Sequence, residues 1–131
     1  MNDLTKVLLV GSGGFLGANA RFWLSAWIQN RIQGAFPWGT LLINVSGSLV
    51  MGLFMGFMLA RDWSTNWRLF FAVGILGGYT TFSAFSYESI KLMSDGNLGS
   101  AFGYIAASVI VSVAAAFLGL VVVRMLSGLS A

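Results

Sequence analysis

Four apolar runs dominate this chain, at about Val7–Ile28, Trp38–Ala60, Leu69–Ile90 and Leu98–Leu126. A span needs about 20 residues to cross ~30 Å of hydrocarbon at ~1.5 Å per residue, and each run has them. Inside hydrocarbon the backbone has no water to bond, so a segment of this kind must satisfy itself as helix. Together the runs take up most of the 131 residues and leave no room for a separate soluble domain. The expected architecture is all-α and integral to the membrane: one transmembrane domain over 1–131 with four spans. Charged residues make up only 8% of the chain, against roughly a quarter in soluble domains.

The first run is expected to stay as a span. It is long, contains Gly11, Gly13, Gly14 and Gly17, and lacks a small-x-small cleavage site with polar flanks. With no cysteine, disulfides and thiolate metal sites are excluded; with no histidine, the commonest general base is missing. The net charge of +3 is spread over short loops and gives no surface for nucleic acid.

Those loops fall at roughly Gln29–Pro37, Arg61–Arg68 and Lys91–Asn97. Pro37 suits the start of the second helix, and Ser94-Asp95-Gly96-Asn97 is a turn cluster. An even number of spans puts both termini on one side. That side carries Lys6, Arg61, Arg68 and Arg124; the other carries Arg31 and Lys91, with Arg21 a candidate third. A bias this small leaves insertion in both orientations open beside a single weakly biased one. Gly13 with Gly17, Gly52 with Gly56, and Gly99 with Gly103 have the small-xxx-small spacing of close helix contacts. Some of these faces serve contacts within a chain and others contacts between chains. Oligomerisation is expected, because four helices are few to enclose a pore.

The third run does not read as a simple helix. Residues 73–88 are VGILGGYTTFSAFSYE, with Gly77-Gly78 and Thr80-Thr81 near the middle and Phe82 and Phe85 three apart just after. A break at membrane depth frees backbone carbonyls, which is tolerated only where they face protein, a cavity or an ion. A site is therefore expected there.

Polar residues elsewhere in the spans also need partners. Thr40, Asn44 and Ser48 fall at i, i+4 and i+8 in the second span, and Tyr104, Ser108 and Ser112 repeat that spacing in the fourth. Each stripe reads either as interhelical hydrogen bonding or as the lining of a polar path, and the two are candidates to face each other. No lining candidate in these stripes is charged, which suits a small anion solvated by hydroxyl and amide donors. The edges of Phe82 and Phe85 carry partial positive charge and fit the same idea, although paired aromatics also simply pack. Arg21 is expected to reach the interface or pair with a carbonyl. Glu88 sits either near a path mouth or as a solvated charge at a helix end. Gly11-Ser12-Gly13-Gly14-Phe15-Leu16-Gly17 follows no strand and has neither nucleotide-loop spacing, so it reads as helix packing.

These residues together resemble the Fluc (CrcB) family of bacterial fluoride channels. The elements are Gly13-Gly14 and Ala20-Arg21, then Gly39-Thr40-Leu41 with Asn44 and Gly47-Ser48, and most specifically the block Gly77 to Glu88. Ala84 stands where such proteins often carry Ser or Thr. The resemblance implies an antiparallel, dual-topology homodimer with two fluoride pathways, in a bacterial inner membrane. It also implies a structural sodium ion at the dimer centre, held by the backbone carbonyls of Gly77 and Thr80. Phe82, Phe85, Asn44, Tyr104, Ser108 and Ser112 would line the pathway, with Glu88 near one mouth. Its partners would be fluoride, membrane lipid and a second copy of itself, and its work the passive release of toxic fluoride.

Two rivals remain. A small multidrug transporter is also an antiparallel four-helix dimer, but it needs a carboxylate in the first span, and Val7–Ile28 has none. A non-conducting assembly subunit would use the glycine faces and polar stripes only to hold partners. No nucleophile–base set points to an enzyme.

Overall fold

The computed structural model describes residues 2–61 and 63–128. Every regular element among them is helical. Helix α1 runs Asp3–Arg31, α2 Trp38–Ala60, and a single turn α3 (Thr65–Trp67) leads into a π-helical stretch, Arg68–Leu76. After that come α4 (Gly77–Tyr79), α5 (Phe82–Ser94) and α6 (Leu98–Leu126).

Helix ends follow local chemistry. Asn2 caps α1, its side-chain oxygen accepting from the Thr5 N–H at 2.9 Å, with Asp3 in the first turn and Arg31 in the last. Pro37 precedes α2, and its carbonyl accepts from the Leu41 N–H at 3.1 Å. Helix α5 ends where Gly96 takes a left-handed φ of 78°, letting the Asn97 N–H return to the Leu92 carbonyl at 2.9 Å. The wider winding of the π-helical stretch shows at its exit, where the Gly77 N–H donates to the Ala72 carbonyl five residues back.

Compared with the expected runs, the first and third helical segments extend further, while α2 and α6 have the same bounds. Helix α1 begins at Asp3 and ends at Arg31, and the third segment turns helical at Thr65, ahead of Leu69. Apolar residues mark only the part of a helix that hydrocarbon can hold, whereas capping and charged turns carry the helix on into the interface. Three segments, at 38–60, 65–94 and 98–126, are long and apolar enough to cross a membrane. Helix α1 has a comparable 29 residues but spends several on Ser12, Asn19, Arg21, Ser25 and Gln29.

Packing is set by missing side chains. Helix α1 lies along the π-helical stretch and α4, while α2 lies along α6. A Cβ on Gly74 would come 2.9 Å from the Cα of Gly13, and one on Gly78 would come 2.7 Å from the Gly14 carbonyl oxygen. On the other pair, a Cβ on Gly119 would lie 2.7 Å from the Leu53 nitrogen. Side chains at these points would force the backbones apart. The glycine-rich start of α1 is thus a packing face, as its lack of loop spacing implied. Gly52 and Gly56 also pack inside the chain, but Gly99 and Gly103 have nothing within 4 Å of a would-be Cβ. A small core of Leu41, Leu92, Ala101 and Tyr104 ties α2, α5 and α6 together at one end.

Candidate functional site

The site is built around Thr80 and Thr81. Both residues are extended, with φ/ψ of −80°/157° and −149°/121°, and α5 restarts at Phe82. A break of this kind strands backbone groups, and nearby side chains meet most of them. The Thr80 N–H still reaches the Leu76 carbonyl at 3.0 Å, and the Thr80 hydroxyl donates to the same oxygen at 3.0 Å. The Thr81 N–H would belong to Gly77's carbonyl in an unbroken helix. Instead it donates to the Asn44 side-chain oxygen at 2.8 Å. In return, Asn44 Nδ2 donates to the Thr81 carbonyl at 2.9 Å. The amide grips one residue of backbone from both sides, as a strand would. Arg21 Nη1 donates to the Thr80 carbonyl at 3.2 Å, the second of the two placements expected of it. Thr81 then caps α5, its hydroxyl accepting from the Ala84 N–H at 3.2 Å.

Helix α2 holds the far side of the break too. Ser46 and the Tyr79 hydroxyl are hydrogen-bonded at 3.0 Å, and a Cβ on Gly47 would meet the Tyr79 ring at 3.0 Å. Ser46 lies off the Thr40–Asn44–Ser48 stripe, so its part was not legible from spacing.

Beside the break lies a cleft of about 340 Å³ between α2, α5 and α6. It gathers Asn44, Phe82, Phe85, Ser108 and Ser112, five of the seven expected pathway side chains, together with Ser48, Thr80 and Thr81. Among the described residues no charged one lines it. The hydroxyl oxygens of Ser108 and Ser112 are buried and have no hydrogen-bond partner among the described residues. Buried polar groups rarely stay unpaired, so two together in one cleft mark a place for something polar. The Phe82 and Phe85 rings stand 5.2 Å apart, tilted by 48°. Phe82 is 78% exposed on this single chain, so the cleft opens to its outer surface.

The remaining two, Tyr104 and Glu88, form a separate group one turn along. The Glu88 carboxylate accepts from the Thr40 hydroxyl at 2.8 Å and from the Tyr104 hydroxyl at 2.7 Å. Tyr104 is fully buried, and its ring is 5.5 Å from that of Phe85. Glu88 is therefore not a solvated charge at a helix end: α5 continues to Ser94, and two hydroxyls hold the carboxylate half-buried. It borders a wider opening of about 840 Å³ that also reaches Arg21, Ser25, Gln29 and Lys91. Arg21, Ser25 and Gln29 are spaced i, i+4 and i+8, a third polar stripe that the sequence carried and that spacing would have revealed in the first helix. The α2 and α6 stripes do face each other: Thr40 meets Tyr104 through Glu88, and Asn44 and Ser48 share a cleft with Ser108 and Ser112.

Gly77 opens the short α4 turn and Thr80 follows its end, and Gly77 is exposed on the single chain. Among the described residues no cluster of three acidic, histidine or cysteine side chains exists.

Residues 8–120 match the family described as CrcB-like protein, Camphor Resistance (CrcB). A protein of Rhizobium meliloti named fluoride-specific ion channel FluC is 44% identical over 122 residues, covering 92% of this chain and 98% of the relative. The protein of the same name from one strain of Thermus thermophilus is 44% identical over 114 residues, 87% of this chain and 90% of its own. That of Anaeromyxobacter dehalogenans is 42% identical over 126 residues, 95% of this chain and all of its own. With three segments able to span a bilayer, the protein is a multi-pass membrane protein. Matched along nearly its whole length, the chain belongs to the CrcB-like family.

Proposed function

We propose that this chain forms a passive, fluoride-selective ion channel. The observation that carries the reading is the uncharged cleft in which two buried, partnerless hydroxyls stand beside an amide and two phenyl rings. Fluoride is a compact, strongly hydrated anion that gives up water only where donors replace it. Ser108 and Ser112 have hydroxyl hydrogens to give, and Asn44 Nδ2 keeps one N–H beyond the bond to Thr81. The edges of Phe82 and Phe85 add partial positive charge without fixing a counter-ion. Chloride is larger and gains less from the same short donors, so size and donor match both disfavour it. The names of the relatives support this reading.

The assembly is an antiparallel homodimer with two pathways, supported by the weak charge bias, the outward opening at Phe82 and the free glycine face at Gly99 and Gly103. All four long segments cross the bacterial inner membrane, α1 included. A structural sodium ion suits the dimer centre. Gly77's carbonyl has lost the N–H of Thr81 to Asn44, and Thr80's carbonyl keeps one lone pair beyond its bond to Arg21. Two such oxygens from each of two chains would make four hard ligands. Bound there, sodium would neutralise carbonyl dipoles that this chain leaves partly unsatisfied. Glu88, held by Thr40 and Tyr104, stands near the wider opening that Arg21 and Lys91 also line. Hydrogen fluoride enters a cell as a neutral acid and dissociates, and the membrane potential drives the trapped anion out through the channel.

Reconstituted liposomes loaded with potassium fluoride test the proposal, with valinomycin carrying the compensating potassium. Fast fluoride release with chloride retained is expected. Well-folded protein that releases neither ion would refute it and bring an assembly role forward.

A further inference from the structure

The aromatic groove at the turn between α2 and α3 has no part in the pathway. It is an opening of about 570 Å³ formed by Arg61, Trp63, Ser64, Trp67 and Phe71. The rings make a connected ladder: Phe54 to Trp63 edge-on at 5.8 Å, Trp63 to Trp67 at 6.3 Å, and Trp67 stacked on Phe71 at 5.4 Å and 25°. Phe54 closes it against Phe71 at 6.1 Å. Trp63 and Trp67 nonetheless remain 38% and 50% exposed.

Polarity changes along the groove. Arg61 and Ser64 sit at its rim, between the end of one membrane-crossing segment at Ala60 and the start of the next at Thr65. Phe54 and Phe71 each lie seven residues in from that rim, about two helical turns toward the hydrocarbon. Among the described residues Arg61 joins neither ion pair, Lys6–Asp3 or Lys91–Asp95; Asp62, next to it in sequence, lies outside the described residues. Ser64 begins the turn without spending its hydroxyl on a cap.

We infer that this groove binds the phosphodiester headgroup of an anionic phospholipid, with the start of its acyl chains laid on the ring ladder. The guanidinium and hydroxyl match a phosphate. Bare indole faces would also take a quaternary ammonium, but the Arg61 charge beside them opposes a cation. A soluble anion fits poorly: one water's share of liquid is about 30 Å³, so a small ion would fill little of the 570 Å³. Only an amphiphile uses both ends of the groove. The inference is independent of what the pathway conducts.

The test is native mass spectrometry of the full-length protein in mild detergent, titrated with phosphatidylglycerol or phosphatidylcholine. One retained phosphatidylglycerol per chain is expected, preferred over phosphatidylcholine. Arg61→Ala should lower its apparent affinity roughly fivefold, the weight of one interfacial cation. Arg68→Ala, one helical turn away and outside the groove, should leave it unchanged. Phosphatidylglycerol brominated near the top of its chains should quench tryptophan fluorescence, and the double variant Trp63→Phe, Trp67→Phe should lose the share that these two rings contribute, leaving only the quenching of Trp23, Trp27 and Trp38, while keeping the ring ladder and the fold. Equal retention in Arg61→Ala and the wild type would overturn the proposal, as would equal binding of the two lipids. Displacement by millimolar inorganic phosphate would reassign the groove to soluble anions, and absence of any lipid adduct would overturn the proposal as well.

Discussion

Ser108 and Ser112 separate structural from functional meaning more sharply than any other side chains here. A serine that holds a helix by a bond loses stability when truncated. These two make no bond, so Ser108→Ala or Ser112→Ala removes a buried, unsatisfied group and should leave stability unchanged or raise it by up to about 1 kcal/mol. Fluoride flux from liposomes should fall in the same variants. Loss of stability together with flux would make them packing residues. Phe82 and Phe85 pose a related question, since rings at helical spacing commonly just pack. Phe82 is 78% exposed and touches little of its own chain, so Phe82→Ile should leave the fold intact. Each Phe→Ile change should slow flux about tenfold, on the order of the ~1.4 kcal/mol that a ring contact can carry. Unchanged flux in both would return the pair to packing.

At the scale of elements, the break between α4 and α5 depends on a neighbouring helix. Asn44 supplies both bonds to Thr81 that a continuous helix would have supplied from within. Asn44→Ala should therefore leave a half-buried N–H and C=O unpaired, at about 1 kcal/mol or more each. We expect a lower unfolding temperature and lost flux together, measured by thermal denaturation in detergent and by efflux. A variant that loses flux at wild-type stability would show Asn44 acting on the ion alone. Tyr79→Phe tests the other grip: it removes only the 3.0 Å bond to Ser46 and should cost about 1 kcal/mol.

For the whole molecule, glycines sort the internal contacts from those left for a partner. Gly119→Ala would set a Cβ 2.7 Å from the Leu53 backbone nitrogen, so α2 and α6 must separate, at a cost of about 1–3 kcal/mol. Gly103→Ala meets nothing in the single chain and replaces glycine by the best helix former, a gain of up to about 1 kcal/mol on its own. If a second copy packs on that face, Gly103→Ala will instead weaken the dimer, which size-exclusion chromatography with light scattering can read directly. A more stable variant with an unaltered dimer would show that the face meets lipid.

By itself the sequence determined that this chain is helical and lives in a bilayer, because hydrocarbon leaves long apolar segments no other way to satisfy their backbones. It also carried the two hydroxyl and amide stripes and the Gly77–Phe82 irregularity, since spacing on a helix fixes which residues share a face. Only the tertiary structure decided that Glu88 is clasped by Thr40 and Tyr104, that Arg21 and Asn44 bond the break, and that Ser108 and Ser112 are left without partners. Those contacts join residues 16 to 59 positions apart. Periodicity describes one helix at a time, whereas the pairing of polar groups depends on which helices the glycines allow to touch.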